Sequence, residues 1–222
     1  MSDKRTHMEK VSVIIPSYNI ERTIKEVIER CPPNYEVVVV DDGSTDRTRE
    51  MAESTRAKVV VHEKNMGKGQ AMITGIENAR GNTVVFIDGD LQHAPEDIPR
   101  LVEKIDDGTF DMVIGSRRMY DADGMPFIRR ASNKISTFLV RAFIGVRIRD
   151  TQSGFRAIGK GKLKGMGLKS KRFEIETEML AKAARMRLRV GEVPIKIVYM
   201  DDSVFHFSIR DVFNFIKTVI LR

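Results

Sequence analysis

The sequence predicts an α/β protein built on a mainly parallel, Rossmann-like sheet with helices on both faces. Two observations carry this prediction. The run Glu36-Val-Val-Val-Val40 is uninterrupted and β-branched, which is typical of a central parallel strand buried on both faces. Short runs of this kind alternate with segments of helical spacing through the first half of the chain, and this alternation indicates repeated β-α-β units.

Each element of the first half has a local signal. The predicted strands are the β-branched or apolar runs 11–15, 36–40, 58–62, 83–87 and 111–115. The predicted helices are 20–30, 46–54, 70–79 and 95–105. Pro16 ends the first strand, and the turn residues 41–46 lead from the second strand into its helix. Gly67-Lys68-Gly69 opens the third helix, and Pro95-Glu96-Asp97 has the proline and acids of a first helical turn.

The second half changes character after Ser116. A basic, apolar-striped helix is predicted at 127–149, and Ser153-Gly154-Phe155-Arg156 then begins a Gly- and Lys-rich connection through Lys171. The later predicted elements are a helix at 173–187, a strand-like stretch at 188–199 and a last helix at about 209–221. With no internal repeat, we predict a flexible leader at 1–10, one domain at 11–200 and a C-terminal amphipathic helix at 201–222.

Composition limits the possible functions. The 222 residues, 41% of them hydrophobic, suffice for one full core. A formal net charge of +7 indicates an anionic partner, although a solvated basic surface is an equal alternative. Cys31 is the only cysteine, which excludes a disulfide within the chain and fits a reducing, cytoplasmic compartment. Residues 1–10 lack the apolar core of a signal peptide, and no stretch reaches the ~18 to 20 apolar residues of a membrane span.

Three polar clusters follow predicted strands at their carboxyl ends. They are Ser17-Tyr18-Asn19, Asp41-Asp42-Gly43 and Asp88-Gly89-Asp90. Ligands bind at this edge of an open parallel sheet. For any single cluster the alternative is ordinary turn chemistry, since Asp, Gly, Asn and Ser favour loops. Turn chemistry accounts less well for all three together, so we predict a binding site at this edge.

Asp88-Gly89-Asp90 is the sharpest of these features. Carboxylates two residues apart in extended backbone point to opposite sides, but a bend at the flexible Gly89 can aim both at one ligand. Oxygen ligands suit Mg2+ or Mn2+, which usually bind through one or two carboxylates plus the phosphates of a substrate. Gln92 can offer an amide oxygen to the same ion. His93 could also bind a metal, but we expect a plain polar residue there.

The stretch from Asn65 to Gln70 resembles a phosphate cradle at a helix N-terminus. Its order of Gly, Lys and Ser/Thr is not that of a P-loop. A structural role, in which the glycines let the helix pack closely on the sheet, is at least as good an interpretation. No Gly-x-Ser-x-Gly elbow and no Cys/His pair indicate a nucleophile.

In order, these motifs resemble those of family 2 glycosyltransferases with the glycosyltransferase A fold. The matching motifs are Val13-Ile-Ile-Pro-Ser-Tyr-Asn19, Val40-Asp-Asp-Gly-Ser-Thr-Asp-Arg-Thr48, Asn65-Met-Gly-Lys-Gly69 and Asp88-Gly-Asp-Leu-Gln-His93. Three later motifs narrow the resemblance to the dolichol-phosphate mannose synthase branch, which includes polyprenyl-phosphate glucosyltransferases. These are Gly115-Ser-Arg117, Ser153-Gly-Phe-Arg156 and Glu176-Thr-Glu-Met-Leu180. The resemblance runs from about residue 11 to 199.

The resemblance implies a role for each matching residue. The implied nucleotide-sugar-binding set is Pro16, Tyr18, Glu21, Val39, Asp41, Lys68, Asp88, Gly89, Asp90 and Gln92. The implied metal set is Asp88, Asp90 and Gln92, with Mg2+ or Mn2+ as the cofactor, and the implied catalytic set is Asp90, Arg117 and Arg129. Arg117 and Arg129 would face the acceptor phosphate. Two positions depart from the family pattern: Ile20 stands where a Glu is common, with Glu21 next, and Asn133 replaces a common Ser.

The implied reaction is inverting transfer of a hexose or N-acetylhexosamine from a GDP- or UDP-sugar to a polyprenyl phosphate. A phosphate monoester is anionic near neutral pH and can attack without an enzymic general base. If the acceptor were a glycan hydroxyl instead, a carboxylate such as Glu176 or Asp150 would be needed as the base. A third hypothesis, a non-catalytic nucleotide- or nucleic-acid-binding module, ranks last because the aromatic residues show no stacking motif, and we expect no nucleic-acid partner.

Two stretches, 129–149 and 205–222, interleave basic residues with bulky apolar ones. Such helices suit an interfacial position on anionic lipid. The alternative is that their apolar faces pack on the sheet or on a second subunit of a homodimer. We expect a cytoplasmic protein associated peripherally with the cytoplasmic face of a membrane.

Overall fold

The computed structural model describes residues 11–116, 148–172 and 174–195. Within them, seven strands form one sheet: β1 Val11–Ser17, β2 Glu36–Asp41, β3 Lys58–Val61, β4 Thr83–Phe86, β5 Met112–Ser116, β6 Arg156–Gly159 and β7 Val190–Pro194. The helices of the described part are α1 Ile24–Arg30, α2 Thr48–Glu53, α3 Lys68–Asn78, α4 Ile98–Asp106, α5 Lys160–Met166 and α6 Ile175–Arg185. A 3-10 turn at Pro95–Asp97 precedes α4.

The strand order is β3-β2-β1-β4-β6-β5-β7. Strands β1 to β4 pair in parallel, and β5 pairs in parallel with β7. Only β6, among the described strands, runs antiparallel to its neighbours, β4 and β5. Because β6 opposes both, the carboxyl ends of β4 and β5 lie at the same edge as those of β1 and β2.

Both faces of the sheet are buried under helices, as the sequence predicts. Successive residues of a strand point to opposite faces, so Val13 and Ile15 pack on one side with α1 and α4. Ile14 packs on the other side with α3 and α6. The four valines of β2 divide in the same way between the two clusters. The predicted α/β fold with a mainly parallel sheet is therefore confirmed.

One glycine determines how closely α3 approaches the sheet. A Cβ added at Gly75 would lie 2.3 Å from Cγ2 of Ile14, so only a glycine fits between the helix and β1. The close packing of this helix on the sheet therefore depends on Gly75, in the middle of α3, rather than on the glycines at its start.

The prediction of a mere connection after Arg156 is wrong. Arg156–Gly159 is a central strand and Lys160–Met166 is a helix. The strand is only four residues long and begins with an arginine whose exposed fraction is 0%. It therefore shows no run of apolar residues from which a buried strand could be predicted. The predictions for 1–10, 127–147 and 196–222 lie outside the described residues, and the domain limits remain predictions. Within the described part, no helix is both long and apolar enough to cross a membrane.

Candidate active site

The three polar clusters lie on neighbouring strands at one edge of the sheet, as predicted. Ser17 is the last residue of β1 and pairs with Asp41, the last residue of β2. Asp88 follows β4, the neighbour of β1 on its other side. The parallel order β2-β1-β4 therefore brings all three clusters together.

The first two clusters are hydrogen-bonded to each other through residues 44 and 45. Asp41 is buried and accepts hydrogen bonds from the amide and the hydroxyl of Ser44. Asn19, with a positive φ of 53°, donates its amide to Oγ of Ser44 at 3.0 Å. Its side-chain oxygen accepts the amide of Thr45 at 2.8 Å. These bonds hold the loop after β1 and the loop after β2 together as one side of the site, which we call the wall. The resemblance places the nucleoside on this side.

The other residues assigned to the nucleoside differ in what they can offer. Tyr18 is 45% exposed at the strand ends, so its ring is accessible to a ligand. Pro16 is half-buried within β1. Val39 is fully buried in the core, so any contact it makes with a ligand must come from its main chain. Glu21 accepts the amide of Arg47 at 2.9 Å and therefore binds the start of α2.

The Asp88-Gly89-Asp90 turn is built differently from the prediction. Leu91, rather than Gly89, takes the positive φ, at 60°. Gly89 is needed for a close approach instead, since an added Cβ would lie 2.4 Å from Cδ1 of Ile20. The carbonyl of Gly89 also accepts a hydrogen bond from Oγ1 of Thr23 at 2.6 Å. The turn is thus held against the residues that lead into α1.

The carboxylates of Asp88 and Asp90 act on each other. Burial raises the pKa of Asp90, and the neighbouring charge of Asp88 raises it further, against a hydrogen bond from the amide of Gln92 at 3.0 Å. A divalent cation would relieve this repulsion. Two carboxylates, with Gln92 two residues after Asp90, offer hard oxygen donors of the kind that suit Mg2+ or Mn2+ completed by phosphates. No group of three or more His, Cys, Asp or Glu side chains suited to a metal occurs among the described residues.

Lys68 links this turn to the second half of the chain. Its ammonium lies 2.6 Å from Oδ1 of Asp88 and 2.9 Å from Oε1 of Glu176. Burial alone would lower the pKa of Lys68, but the two carboxylates outweigh it and raise the pKa above its ordinary value. The ammonium therefore stays charged at neutral pH, beside the proposed diphosphate site.

The start of α3 is not an open phosphate cradle. The amides of Met66 and Gly67 donate to the carboxylate of Asp42 at 2.8 and 2.7 Å. The amide of Gln70 donates to the carbonyl of Lys171 at 3.1 Å. An added Cβ at Gly67 would lie 2.4 Å from that carbonyl, and one at Gly69 only 2.2 Å from the carbonyl of Ser170. A structural role for the two glycines is therefore favoured over phosphate binding. They make room for residues 170–172, however, and not for the sheet.

Three residues of the second half complete the site, and sequence reasoning gave two of them no chemical role. Since β6 pairs Arg156 with Phe86, the ladder places Gly154 opposite Asp88. An added Cβ at Gly154 would lie 2.6 Å from Oδ2 of Asp88. Arg156 is fully buried and donates to the carbonyls of Thr151, Ser153 and Glu176 at 2.7, 2.7 and 2.6 Å. The signal for Gly154 and Arg156 was their motif, which supported the resemblance but suggested no contact. Glu176 belongs to another of these motifs, and the sequence suggested a chemical role for it only as the base of the alternative reaction.

The sequence predicts a plain polar residue rather than a metal ligand at His93, and the structure buries this side chain beside the Asp88 turn. It is only 3% exposed, and its Nδ1 lies 3.9 Å from Oδ2 of Asp88. Its ring is 5.5 Å from that of Phe155, between centroids. Arg117 follows directly after β5, whose carboxyl end is at this edge, but Arg117, Arg129 and Asn133 lie outside the described residues.

Comparisons with known proteins agree with this architecture. The family model described as Glycosyl transferase family 2 matches residues 12–167. A UDP-N-acetylglucosamine--dolichyl-phosphate N-acetylglucosaminyltransferase of Methanococcus voltae is 34% identical, over 92% of this chain and 90% of that protein. A dolichol-phosphate mannosyltransferase of Pyrococcus furiosus is 39% identical, over 83% of this chain and 55% of that protein.

A solved structure shows the same fold. The glucosyl-3-phosphoglycerate synthase of Mycobacterium tuberculosis aligns with a TM-score of 0.76, over 98% of this chain and 83% of that one, at 23% identity. The sheet and the helices on its two faces thus have the glycosyltransferase A fold. The chain belongs to glycosyl transferase family 2.

Proposed function

We propose that this glycosyltransferase transfers a hexose or N-acetylhexosamine from a GDP- or UDP-sugar to a polyprenyl phosphate, with inversion at the anomeric carbon. One observation carries the donor half of the proposal. The Asp88 and Asp90 carboxylates lie at the end of β4, beside the wall formed by the ends of β1 and β2 and next to the ammonium of Lys68. This arrangement supports a donor site in which acceptors for a nucleoside, oxygen ligands for a cation and a positive charge lie along one edge.

Each part of this edge has a task in binding the donor. Asp41, Tyr18 and the main chain of β1 and β2 would hold the nucleoside, because they form the wall at the ends of β2 and β1, next to the end of β4 that leads to Asp88. Asp88, Asp90 and Gln92 would hold Mg2+ or Mn2+, which when bound neutralises the charge of the leaving diphosphate. Lys68, kept protonated by its carboxylate neighbours, would add a fixed positive charge on the same side.

The acceptor half of the proposal is supported by the relatives. Two of them, at 34% and 39% identity, are named for transfer to dolichyl phosphate. A phosphate acceptor is already a nucleophile at neutral pH, so the enzyme must position it and offset its charge rather than deprotonate it. Arg117 and Arg129 are our proposed ligands for that phosphate. The basic and apolar stretches at 129–149 and 205–222 would bring the enzyme to the membrane surface or to a second subunit.

The proposal is tested with a panel of radiolabelled GDP- and UDP-sugars, each incubated with a short polyprenyl phosphate and Mn2+. We expect one donor to yield labelled lipid, which partitions into the organic phase. The matched control is the polyprenol without its phosphate, which should accept nothing. Transfer to a glycan hydroxyl with no transfer to polyprenyl phosphate would refute the acceptor assignment.

A further inference from the structure

We infer that Glu176 binds the donor's sugar by accepting a hydrogen bond from a hydroxyl or from the N–H of an N-acetyl group. This inference rests on the proposed function, since it assumes that a nucleotide sugar occupies the edge beside Asp88. It concerns a residue of α6, on a different part of the chain from the strand-end clusters. Its role would be to recognise the sugar rather than the nucleotide.

Position is the first argument. A single ammonium, that of Lys68, lies within 2.9 Å of both the Asp88 and the Glu176 carboxylates. A sugar joined to a diphosphate at Asp88 is therefore within reach of Glu176. The exposed fraction of the side chain falls from 27% at Asp88 through 18% at Lys68 to 7% at Glu176. Glu176 thus forms the closed end of a cluster that opens to solvent at Asp88.

Rigidity is the second argument. The main chain of Glu176 is fixed because its carbonyl accepts a hydrogen bond of 2.6 Å from the buried guanidinium of Arg156. Its carboxylate is fixed because Oε1 lies 2.9 Å from the ammonium of Lys68. A group held at both ends loses little conformational freedom when it binds a ligand, so the hydrogen bond it makes contributes more fully to affinity.

The remaining oxygen is the third argument. Oε2 of Glu176 is buried and accepts no hydrogen bond from any residue that the structure describes. An ionised carboxylate can only accept, so the partner must be a donor such as a sugar hydroxyl or an amide N–H. By contrast Glu178, two residues further on, has both oxygens engaged, by the amides of Lys169 and Ser170. Glu176, unlike Glu178 on the same helix, therefore has a buried oxygen that accepts no hydrogen bond from the described residues.

A general-base role for Glu176 makes a different prediction. A base acts on the acceptor and leaves donor binding unchanged in the absence of acceptor. A sugar-binding residue changes the affinity for the nucleotide sugar but not for the nucleotide diphosphate, which lacks the sugar. Binding measurements without any acceptor therefore separate the two roles.

The experiment is calorimetric titration, with Mn2+ present, of UDP-N-acetylglucosamine against UDP and of GDP-mannose against GDP. For Glu176→Gln we expect a loss of about 10- to 100-fold in affinity for the sugar nucleotide that binds wild type, the range for a hydrogen bond to a charged group. Affinity for the matching diphosphate should stay within about twofold of wild type, because the glutamine keeps one oxygen that accepts from the ammonium of Lys68. Glu176→Asp, which keeps the charge but withdraws the oxygen, serves if the glutamine variant does not fold and should show the same selective loss.

Two control variants define the outcomes. Glu178→Gln should lower the melting temperature and leave the ratio of the two affinities unchanged, because its carboxylate accepts the amide of Ser170 and pairs with Lys182. Lys68→Met should weaken both ligands together. An equal loss for both ligands in Glu176→Gln, or no loss at all, overturns the inference. If the wild-type protein binds no sugar nucleotide, both the inference and the proposed function are refuted. If it binds a sugar nucleotide but does not glycosylate a lipid phosphate, only the acceptor assignment is refuted.

Discussion

Replacing Gly154 by alanine should weaken binding of the nucleotide diphosphate and its metal. The added Cβ would lie 2.6 Å from Oδ2 of Asp88 and 3.0 Å from the ammonium of Lys68. Since unstrained contacts need about 3.5 Å, the carboxylate must move by roughly 0.9 Å, away from its present hydrogen-bonding position. The 2.6 Å ion pair between Asp88 and Lys68 would then be distorted.

The size of the effect follows from that ion pair. A hydrogen bond to a charged group contributes about 1.5–3 kcal/mol, and distortion without complete loss should cost about 1–2 kcal/mol. At about 1.4 kcal/mol per tenfold change, affinity for a diphosphate with Mn2+ should fall by about 5- to 30-fold. Unfolding should occur about 2–8 °C lower, given about 2–4 °C per kcal/mol for a chain of this size.

The assay is titration of UDP and GDP in the presence of Mn2+, together with thermal melts of the free protein. Gly159→Ala is the matched control, because an added Cβ there meets nothing within 4 Å and the residue has a φ of −61°. That control should bind as wild type does. Wild-type affinity in Gly154→Ala would refute the claim that this contact holds Asp88 in its binding position.

Two further predictions concern the metal and the far end of the sheet. A nucleoside diphosphate should raise the melting temperature only with Mn2+ or Mg2+, and Asp90→Ala should abolish that rise; equal stabilisation in EDTA would contradict the metal assignment. At the opposite edge, the hydrogen bonds of Arg189 to Asp111, with help from Lys162, hold the pKa of that carboxyl well below its usual range. Because a lowered folded-state pKa stabilises only while the carboxyl is ionised, the stabilisation is present above about pH 4 and is lost as the pH falls. Because Arg189 and Lys162 are exposed, we expect their pairing with Asp111 to contribute about 1 kcal/mol. Asp111→Asn should therefore unfold about 2–4 °C lower than wild type at pH 7. Thermal melts between pH 7 and about pH 3 should show this difference shrinking as the pH falls.

The first half of the fold could be predicted because its signals are local. The valines of β2 and the proline and acids before α4 are continuous in the sequence, and each element they predict is present. Strand β6 could not be predicted in this way. Its first residue is a buried arginine whose partners are three carbonyls from two other segments, and no local pattern reveals such a partner set.

The site shows the same division. The positions of Asp41 and Asp88 at strand ends follow from local turns, so the edge could be predicted. The pairing of Lys68 with Glu176 joins residues distant in the chain, and it depends on how α6 packs beside α3. The composition of a turn also does not say why its glycine is there. Gly89 makes room for Ile20, whereas the positive φ belongs to Leu91.

The reversed direction of β6 has a consequence for how this enzyme can vary. Strands β5 and β6 are hydrogen-bonded neighbours, and Gly115 donates its amide to the carbonyl of Phe155 at 2.8 Å. The two ends of the segment between them therefore lie at adjacent positions, both on the edge that carries the polar clusters. Closing such a segment costs little more when it is longer, since the entropy of closure grows only with the logarithm of length. A change in the length of residues 117–147 would therefore leave the register of β5 and β6, and the positions of both strand ends at this edge, unaltered.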